Sequence, residues 1–327
     1  MKVLITGITG QDGSYLVELL LEKGYEVHGF VRRVATHSRD DRLWRISNLL
    51  GPNRLHGVLE LHEGSLDNPA SISALIQKIR PDQVYHLAAQ SDVGASYEDP
   101  FTTMSVNVLG TQYVLEACRR HCPKTKIYFA GSSEQFGPYA TPPMNEQTFM
   151  RPISPYAVSK ISAYNMCGFY RDCYDMFIAR GILFNHESPR RGEEFVTRKI
   201  TRAVARIVAD KQKVLSLGNM KARRDWGHSK DYVRAMWMML DREYPDDFVI
   251  STGKSWSVED FCVVAFDHVG LNWKDWVKRD AVLLRDGDIP DLVGNSSKAA
   301  SLLGWSPEIP FNRLVKDMVE ADVERES

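Results

Sequence analysis

The chain has 327 residues, 43% of them apolar and 25% charged, with 41 basic against 42 acidic residues and a formal net charge of -1. That length exceeds one average domain, and the composition is that of an ordinary globular enzyme able to bury a sizeable core. The balanced charge gives no support for nucleic acid or an anionic membrane as a bulk partner, so any anion must be held locally.

The first predicted strand, 3–6, follows Met1 without a basic region or an apolar signal core, and no run of about 18 apolar residues occurs, so a cytoplasmic protein is expected. Gly7-x-x-Gly10-x-x-Gly13 comes next, then a helix over 15–23. Glycines between a strand and a helix let the backbone approach a pyrophosphate at the positive helix end, although a tight structural turn would use them too. The second strand, 26–31, runs into Arg32 and Arg33, where an NAD enzyme usually presents a carboxylate to the ribose 2′-hydroxyl. A guanidinium there forms charge-assisted bonds to a 2′-phosphate, so NADP is favoured over NAD.

Further strands are expected over 58–61, 83–87, 126–130 and 177–183, with a helix over 111–120. Apolar runs alternating with amphipathic segments specify βαβ units and six or seven parallel strands, a doubly wound α/β sheet. Beyond about Asn185 the spacing becomes irregular, with Gly/Pro turns, Trp-rich segments and a helix-like stretch over 312–323. A cofactor domain over 1–184 and a smaller substrate region over 185–327, partly interleaved with it, are expected. Cys118, Cys122, Cys167, Cys173 and Cys262 lack paired C-x-x-C spacing, so buried free thiols are expected rather than disulfides or a zinc site, and no metal is called for.

The residues richest in chemistry are Ser132-Ser133-Glu134 and Tyr156-Ala157-Val158-Ser159-Lys160. The Tyr-x-x-x-Lys spacing stacks both side chains on one helix face, where the Lys160 ammonium can lower the Tyr156 phenol pKa and make it a base. Glu134, directly after a strand end, offers a second base, or a carboxylate that caps nearby backbone.

With the glycine turn, these residues resemble the extended short-chain dehydrogenase/reductases, and the second half narrows the match. The run from Leu183 to Ile200, then Leu217-Gly218-Asn219 and Arg224-Asp225-Trp226-Gly227-His228, closely resemble the GDP-mannose 4,6-dehydratase family. The resemblance implies a Rossmann-type fold and a lyase that makes GDP-4-keto-6-deoxymannose from GDP-mannose with NADP retained. It implies catalysis by Ser132, Glu134, Tyr156 and Lys160, and cofactor contacts from Gly7, Thr9, Gly10, Gln11, Asp12, Gly13, Arg32, Arg33, Ser65, Leu66, Leu87, Ala89, Ser91, His186 and Arg191. Asn185, Lys199, Asn219, Arg224 and Arg285 would meet the substrate. The basic stretch Arg32, Arg33, Arg39, Arg42 and Arg45 matches a family loop that reaches an adjacent subunit, which implies a homo-oligomer, dimer or tetramer.

The chain departs from the family pattern at Ser132 (threonine in the family), Ser65 (aspartate), Asp92 (histidine) and Thr102 (tyrosine), and in the segment from Arg285 to Asp291. These changes leave Tyr156, Lys160 and Glu134 intact. They keep open another GDP-sugar such as a GDP-heptose, an NADP-dependent 4-keto-sugar reductase or epimerase, and a silent NADP-binding module.

Overall fold

The computed structural model describes residues 1–32, 42–50, 58–284, 289 and 291–327. Six strands come from the first half: β1 (Lys2–Thr6), β2 (Glu26–Arg32), β3 (Val58–Gly64), β4 (Gln83–His86), β5 (Lys126–Ser132) and β6 (Ile178–Leu183). With Asp247–Ile250 they form a seven-stranded, mostly parallel sheet in the order Asp247–Ile250, β6, β5, β4, β1, β2, β3. In β1, Val3, Leu4 and Ile5 are all buried, as are Val84 and Tyr85 in β4 and Ile127, Tyr128 and Phe129 in β5. Continuous apolar strands of this kind suit a parallel sheet covered on both faces, and each such side chain contributes about 1.5–3 kcal/mol on burial.

The doubly wound Rossmann-type sheet expected from the sequence is therefore present, and the first six strands agree with their expected positions within a few residues. The seventh strand was not legible. Asp247-Phe248-Val249-Ile250 is short and lies far beyond the regular βαβ pattern, in the stretch read as irregular. What fixes it is a buried ion cluster. Asp247 receives Arg180 on both carboxylate oxygens, Arg171 Nη1 at 2.9 Å and the Tyr164 hydroxyl at 3.0 Å. Those arginines hold the Asp247 carboxyl below its usual range despite burial, and a buried pair broken on one side is costly.

The 20-residue helix Pro155–Tyr174 packs against β5. Its start is set locally: the Ser154 hydroxyl accepts from Ala157 N at 3.1 Å, and Pro155 occupies the first turn, where its missing N–H costs nothing. It ends at Asp175, in the left-handed region at φ 53°.

By internal contacts the chain divides into two compact units. One comprises Met1–Gln135, Pro152–Ile182 and Val233–Phe248; the other comprises Phe136–Arg151, Leu183–Tyr232 and Val249–Ser327. The core of the second unit is built by the helices Val196–Val208, Val258–Asp267 and Phe311–Glu326. Trp226, Phe261, Phe266 and Phe311 fill it, with the Trp256 ring stacked on Phe311 at 4.5 Å. The Phe311–Glu326 helix extends the stretch expected over 312–323.

Candidate active site

The glycine turn is built for close backbone approach. Gly7 has φ 76°, and a Cβ there would lie 2.8 Å from Ala88 N; one on Gly13 would lie 2.2 Å from the Gly7 carbonyl oxygen. Gly10 caps the Gln11–Glu22 helix without a side chain, its N–H bonded to Gly7 O at 2.9 Å and its carbonyl accepting from Ser14 N at 3.1 Å. The first amide groups of that helix therefore lie beside bare backbone, a cradle for a phosphate. These residues fit a dinucleotide pyrophosphate.

Several of the expected cofactor residues follow the ends of neighbouring strands of the same sheet. Leu87 N bonds to Thr6 O at 3.2 Å, which sets the Leu87–Ala89 segment next to Gly7; Ser91, further on, is exposed. Leu66 is buried, and Ser65 O accepts from Asn68 N at 3.2 Å. Arg32 ends β2 exposed to solvent, and its carbonyl accepts from Arg42 Nη1 at 2.8 Å. Arg45 Nη1 donates to Thr9 O at 3.3 Å. Two arginines of the basic stretch thus engage their own chain's turn and strand end. Arg33, Arg39 and Arg285 lie outside the described residues.

At the end of β5, Ser132 and Ser133 are buried, and Glu134 is partly exposed in the single turn Ser133–Phe136. The Ser132 hydroxyl accepts from Glu134 N at 3.3 Å, and Ser132 N donates to Gln135 Oε1 at 2.7 Å. Gln135, fully buried, thus sets the turn, a role that nothing in its residue type announces. Tyr156 and Lys160 are both buried on the helix that packs on β5, and Lys160 Nζ lies 4.8 Å from the Phe129 ring centre. Burial lowers the Lys160 pKa to about 8.

A buried chain of polar groups, which sequence reasoning missed, supports this helix. His86 bonds to Thr6 Oγ1 at 2.8 Å and Thr111 Oγ1 at 3.0 Å; Thr111 donates to Asn107 O at 2.6 Å. Asn107 Nδ2 reaches Ser159 Oγ at 2.9 Å, and Ser159 donates to Tyr156 O at 2.7 Å. Burial, with Lys160 nearby, takes the His86 pKa down to about 3, so it works as a neutral relay of hydrogen bonds. Two departures from the family pattern have local roles: Asp92 caps the Val93–Glu98 helix, and Thr102 N donates to the Asp99 carboxylate at 2.9 Å.

In the second unit, Arg224 lies in a short strand between Trp256–Ser257 and Asp291–Leu292, and its Nη1 donates to Ile289 O at 2.6 Å. Asp225 behind it accepts from Thr252 N, Thr252 Oγ1 and Gly253 N at 2.6–2.9 Å and from Gly294 N at 3.3 Å. Burial still raises its pKa to about 6. Asn185 O accepts from Gly227 N at 2.9 Å, and Asn219 Oδ1 accepts from Lys221 N at 3.1 Å. His186 donates from Nδ1 to Phe184 O at 2.7 Å and stacks on Tyr232. Arg191 pairs with Glu187 at 3.1 Å and covers the Phe195 ring. Lys199 is exposed, whereas its neighbour Arg198 is buried against Asp322. The expectation of buried thiols is corrected in part: all five cysteines are free, but Cys173 is exposed and Cys122 only partly buried.

Residues 4–318 match the model of the family described as GDP-mannose 4,6 dehydratase. The chain is 49% identical to GDP-mannose 4,6 dehydratase 2 of Arabidopsis thaliana over 98% of its own length and 86% of the relative's. The chain belongs to the GDP-mannose 4,6-dehydratase family. It is 42% identical to the GDP-mannose 4,6-dehydratase of Yersinia enterocolitica serotype O:8, over 99% of this chain and 94% of that one. Among solved structures, UDP-glucose 4-epimerase from Thermotoga maritima matches with a TM-score of 0.86 at 24% identity, covering both chains completely. RMD from Pseudomonas aeruginosa complexed with NADPH matches with a TM-score of 0.81 at 22% identity over 99% of each chain. These structural likenesses carry the fold. The family expected from the motifs, its Rossmann-type sheet and its lyase class are borne out.

Proposed function

We propose that the chain converts GDP-mannose into GDP-4-keto-6-deoxymannose with a resident NADP, and that Tyr156, Lys160, Glu134 and Ser132 carry the proton chemistry. One observation supports this above the others: Ser132 and Glu134 close β5, while the helix packed on β5 brings in a buried Tyr156 and Lys160. When bound, NADP would supply a hydride acceptor for C4 of the hexose and, once reduced, a hydride donor for C6, which makes the conversion redox-neutral.

Tyr156 removes the C4 hydroxyl proton, and the Lys160 ammonium favours the phenolate electrostatically while bonding to the nicotinamide ribose. Ser132 orients the C4 oxygen. The resulting ketone acidifies C5–H, Glu134 takes that proton, and the C6–O bond breaks with water leaving on a proton from an acid; a proton exchanged with solvent on Glu134 returns to C5 as hydride reaches C6. Gly7, Thr9, Gly10, Gln11, Asp12 and Gly13 hold the pyrophosphate. Arg32 and Arg33 favour NADP through its 2′-phosphate, and Ser65, Leu66, Leu87, Ala89 and Ser91 border the nucleoside portions. His186 and Arg191 are assigned to the cofactor; Asn185, Lys199, Asn219, Arg224 and Arg285 are assigned to the GDP-sugar.

A cytoplasmic setting belongs to the same proposal, supported by five free thiols, which fit a reducing compartment. Among the described residues no helix is long and apolar enough to cross a membrane. A homo-oligomer, dimer or tetramer, is proposed from the basic stretch after β2, and a concentration-independent monomer by light scattering would refute it.

The test of the reaction is mass spectrometry of GDP-mannose incubated with the protein and NADP in deuterated water. Loss of one water with deuterium gained is the expected result. An unchanged sugar beside tightly bound NADP would overturn the substrate, and equal dissociation constants for NADP and NAD would overturn the cofactor preference.

A further inference from the structure

Two histidines and two glutamates outside the residues assigned above meet on one face of β2 and β3. The parallel register sets His28 opposite Glu60 and Phe30 opposite His62. Side chains two apart on a strand share a face, so Glu26 and His28 of β2 lie on the same side as Glu60 and His62 of β3. His28 Nδ1 is 3.0 Å from His62 Nε2 and 3.7 Å from Glu60 Oε2, and one ligand atom from each of the three residues falls within 4.8 Å of the others. The opposite ring nitrogen, His28 Nε2, lies 3.1 Å from Glu26 Oε1. The His28 and His62 side chains are only 7% and 11% exposed.

We propose that this cluster binds a divalent late first-row transition ion, with Zn²⁺ as its test ion, through His28 Nδ1, His62 Nε2 and the Glu60 carboxylate. The Glu26 carboxylate keeps a proton on His28 Nε2, which leaves the Nδ1 lone pair aimed at His62. That is the carboxylate–histidine–metal arrangement, in which the outer carboxylate fixes the tautomer and raises ligand basicity. Two imidazole nitrogens at 3.0 Å must share one proton in the metal-free cluster. An ion in its place with Zn–N bonds of about 2.0–2.1 Å needs the nitrogens roughly 3.3 Å apart in a tetrahedral site, a small outward shift.

Glu60 is half-exposed and free to turn its carboxylate inward, while water supplies the fourth position, as in three-ligand His₂Glu sites. Two cations lie nearby: Lys78 Nζ is 3.8 Å from Glu60, and Lys2 Nζ is 3.9 Å from Glu26. The Lys78 side chain is 70% exposed and can leave for solvent. Because β3 is the edge strand, a bound ion would clip the edge of the sheet to the strand that ends at Arg32.

The full-length protein, stripped with a chelator and dialysed, is titrated with Zn²⁺ by calorimetry and with Co²⁺ by visible absorption. The expected result is one equivalent bound, a Co²⁺ spectrum of nitrogen and oxygen ligands without a thiolate charge-transfer band, and a raised Tm. His62→Gln and Glu60→Gln should each weaken binding at least tenfold, and Glu26→Gln about 10–100-fold as for an outer-shell partner. Glu60→Gln alters a half-exposed group, so it keeps the test interpretable if a histidine variant fails to fold. Absence of stoichiometric binding, affinity unchanged in these variants, or a thiolate band lost in Cys122→Ser or Cys173→Ser would overturn the proposal.

Discussion

The two units use similar residue types for opposite purposes. In the first, the groups proposed for chemistry stand at strand ends and on one helix, and a separate set, Arg171, Arg180 and Asp247, holds that helix to the sheet. In the second, a single motif divides between both jobs: Arg198 is buried against Asp322 and also donates to Pro189 O and Arg191 O, while adjacent Lys199 faces solvent. A matched motif therefore does not say which of its cations bind ligand. Burial and partners decide that.

Substitutions can break this contrast, beginning with the largest effect. Tyr156→Phe should lower kcat by about 10²–10⁴-fold, the range of a positioned acid–base group, with NADP affinity measured by fluorescence staying near wild type; equal losses in both would make Tyr156 a binding residue only. Arg198→Ala should cost about 1.5–3 kcal/mol by removing the buried guanidinium's charge-assisted bonds to Asp322, which keeps Thr201 and the more exposed Arg325 as partners, read as a lower denaturation midpoint. Lys199→Ala, one residue away, should leave the midpoint unmoved and raise KM for the GDP-sugar; a shared stability loss would erase the distinction.

Lys160 provides a pH test. Its folded pKa of about 8 lies below the ordinary lysine value because of burial. The unfolded chain thus binds the extra proton between about pH 8 and 10.4, so apo-protein stability should rise with pH across that window. Activity should fall there as the ammonium is lost. An activity profile flat through pH 9 would remove the ammonium from the mechanism. The smallest effect concerns Arg32→Ala, which should reduce the preference for NADP over NAD by about tenfold, as for one charge-assisted contact of about 1.5 kcal/mol.

Much of the first unit was readable because its physics is local. The period of apolar runs gives strands, glycines give a turn that only bare backbone can make, and Tyr156 with Lys160 share a helix face by spacing alone. Asp247–Ile250 was not readable, since a four-residue strand held by Arg180 and Arg171 depends on partners 67 and 76 residues away. Gln135 and the path from His86 through Asn107 to Ser159 were hidden for the same reason: ordinary polar residues become structural only where the fold buries them together. In the second unit, sequence similarity assigned Arg224 to the GDP-sugar but gave no hint that Asp225 gathers the Thr252, Gly253 and Gly294 loops behind it.

The chain passes from one unit to the other five times, after Gln135, Arg151, Ile182, Tyr232 and Phe248. During synthesis, the sheet cannot acquire its seventh strand, nor Arg171 and Arg180 their carboxylate, until Asp247 has left the ribosome. By then about three-quarters of the polypeptide exists. A fragment ending near residue 184 would carry an open sheet edge and two arginines deprived of the Asp247 carboxylate they share. The first unit is therefore no separable N-terminal piece: truncation, grafting or recombination that moves its early segments without Val233–Phe248 leaves the Pro155–Tyr174 helix without the Asp247 anchor.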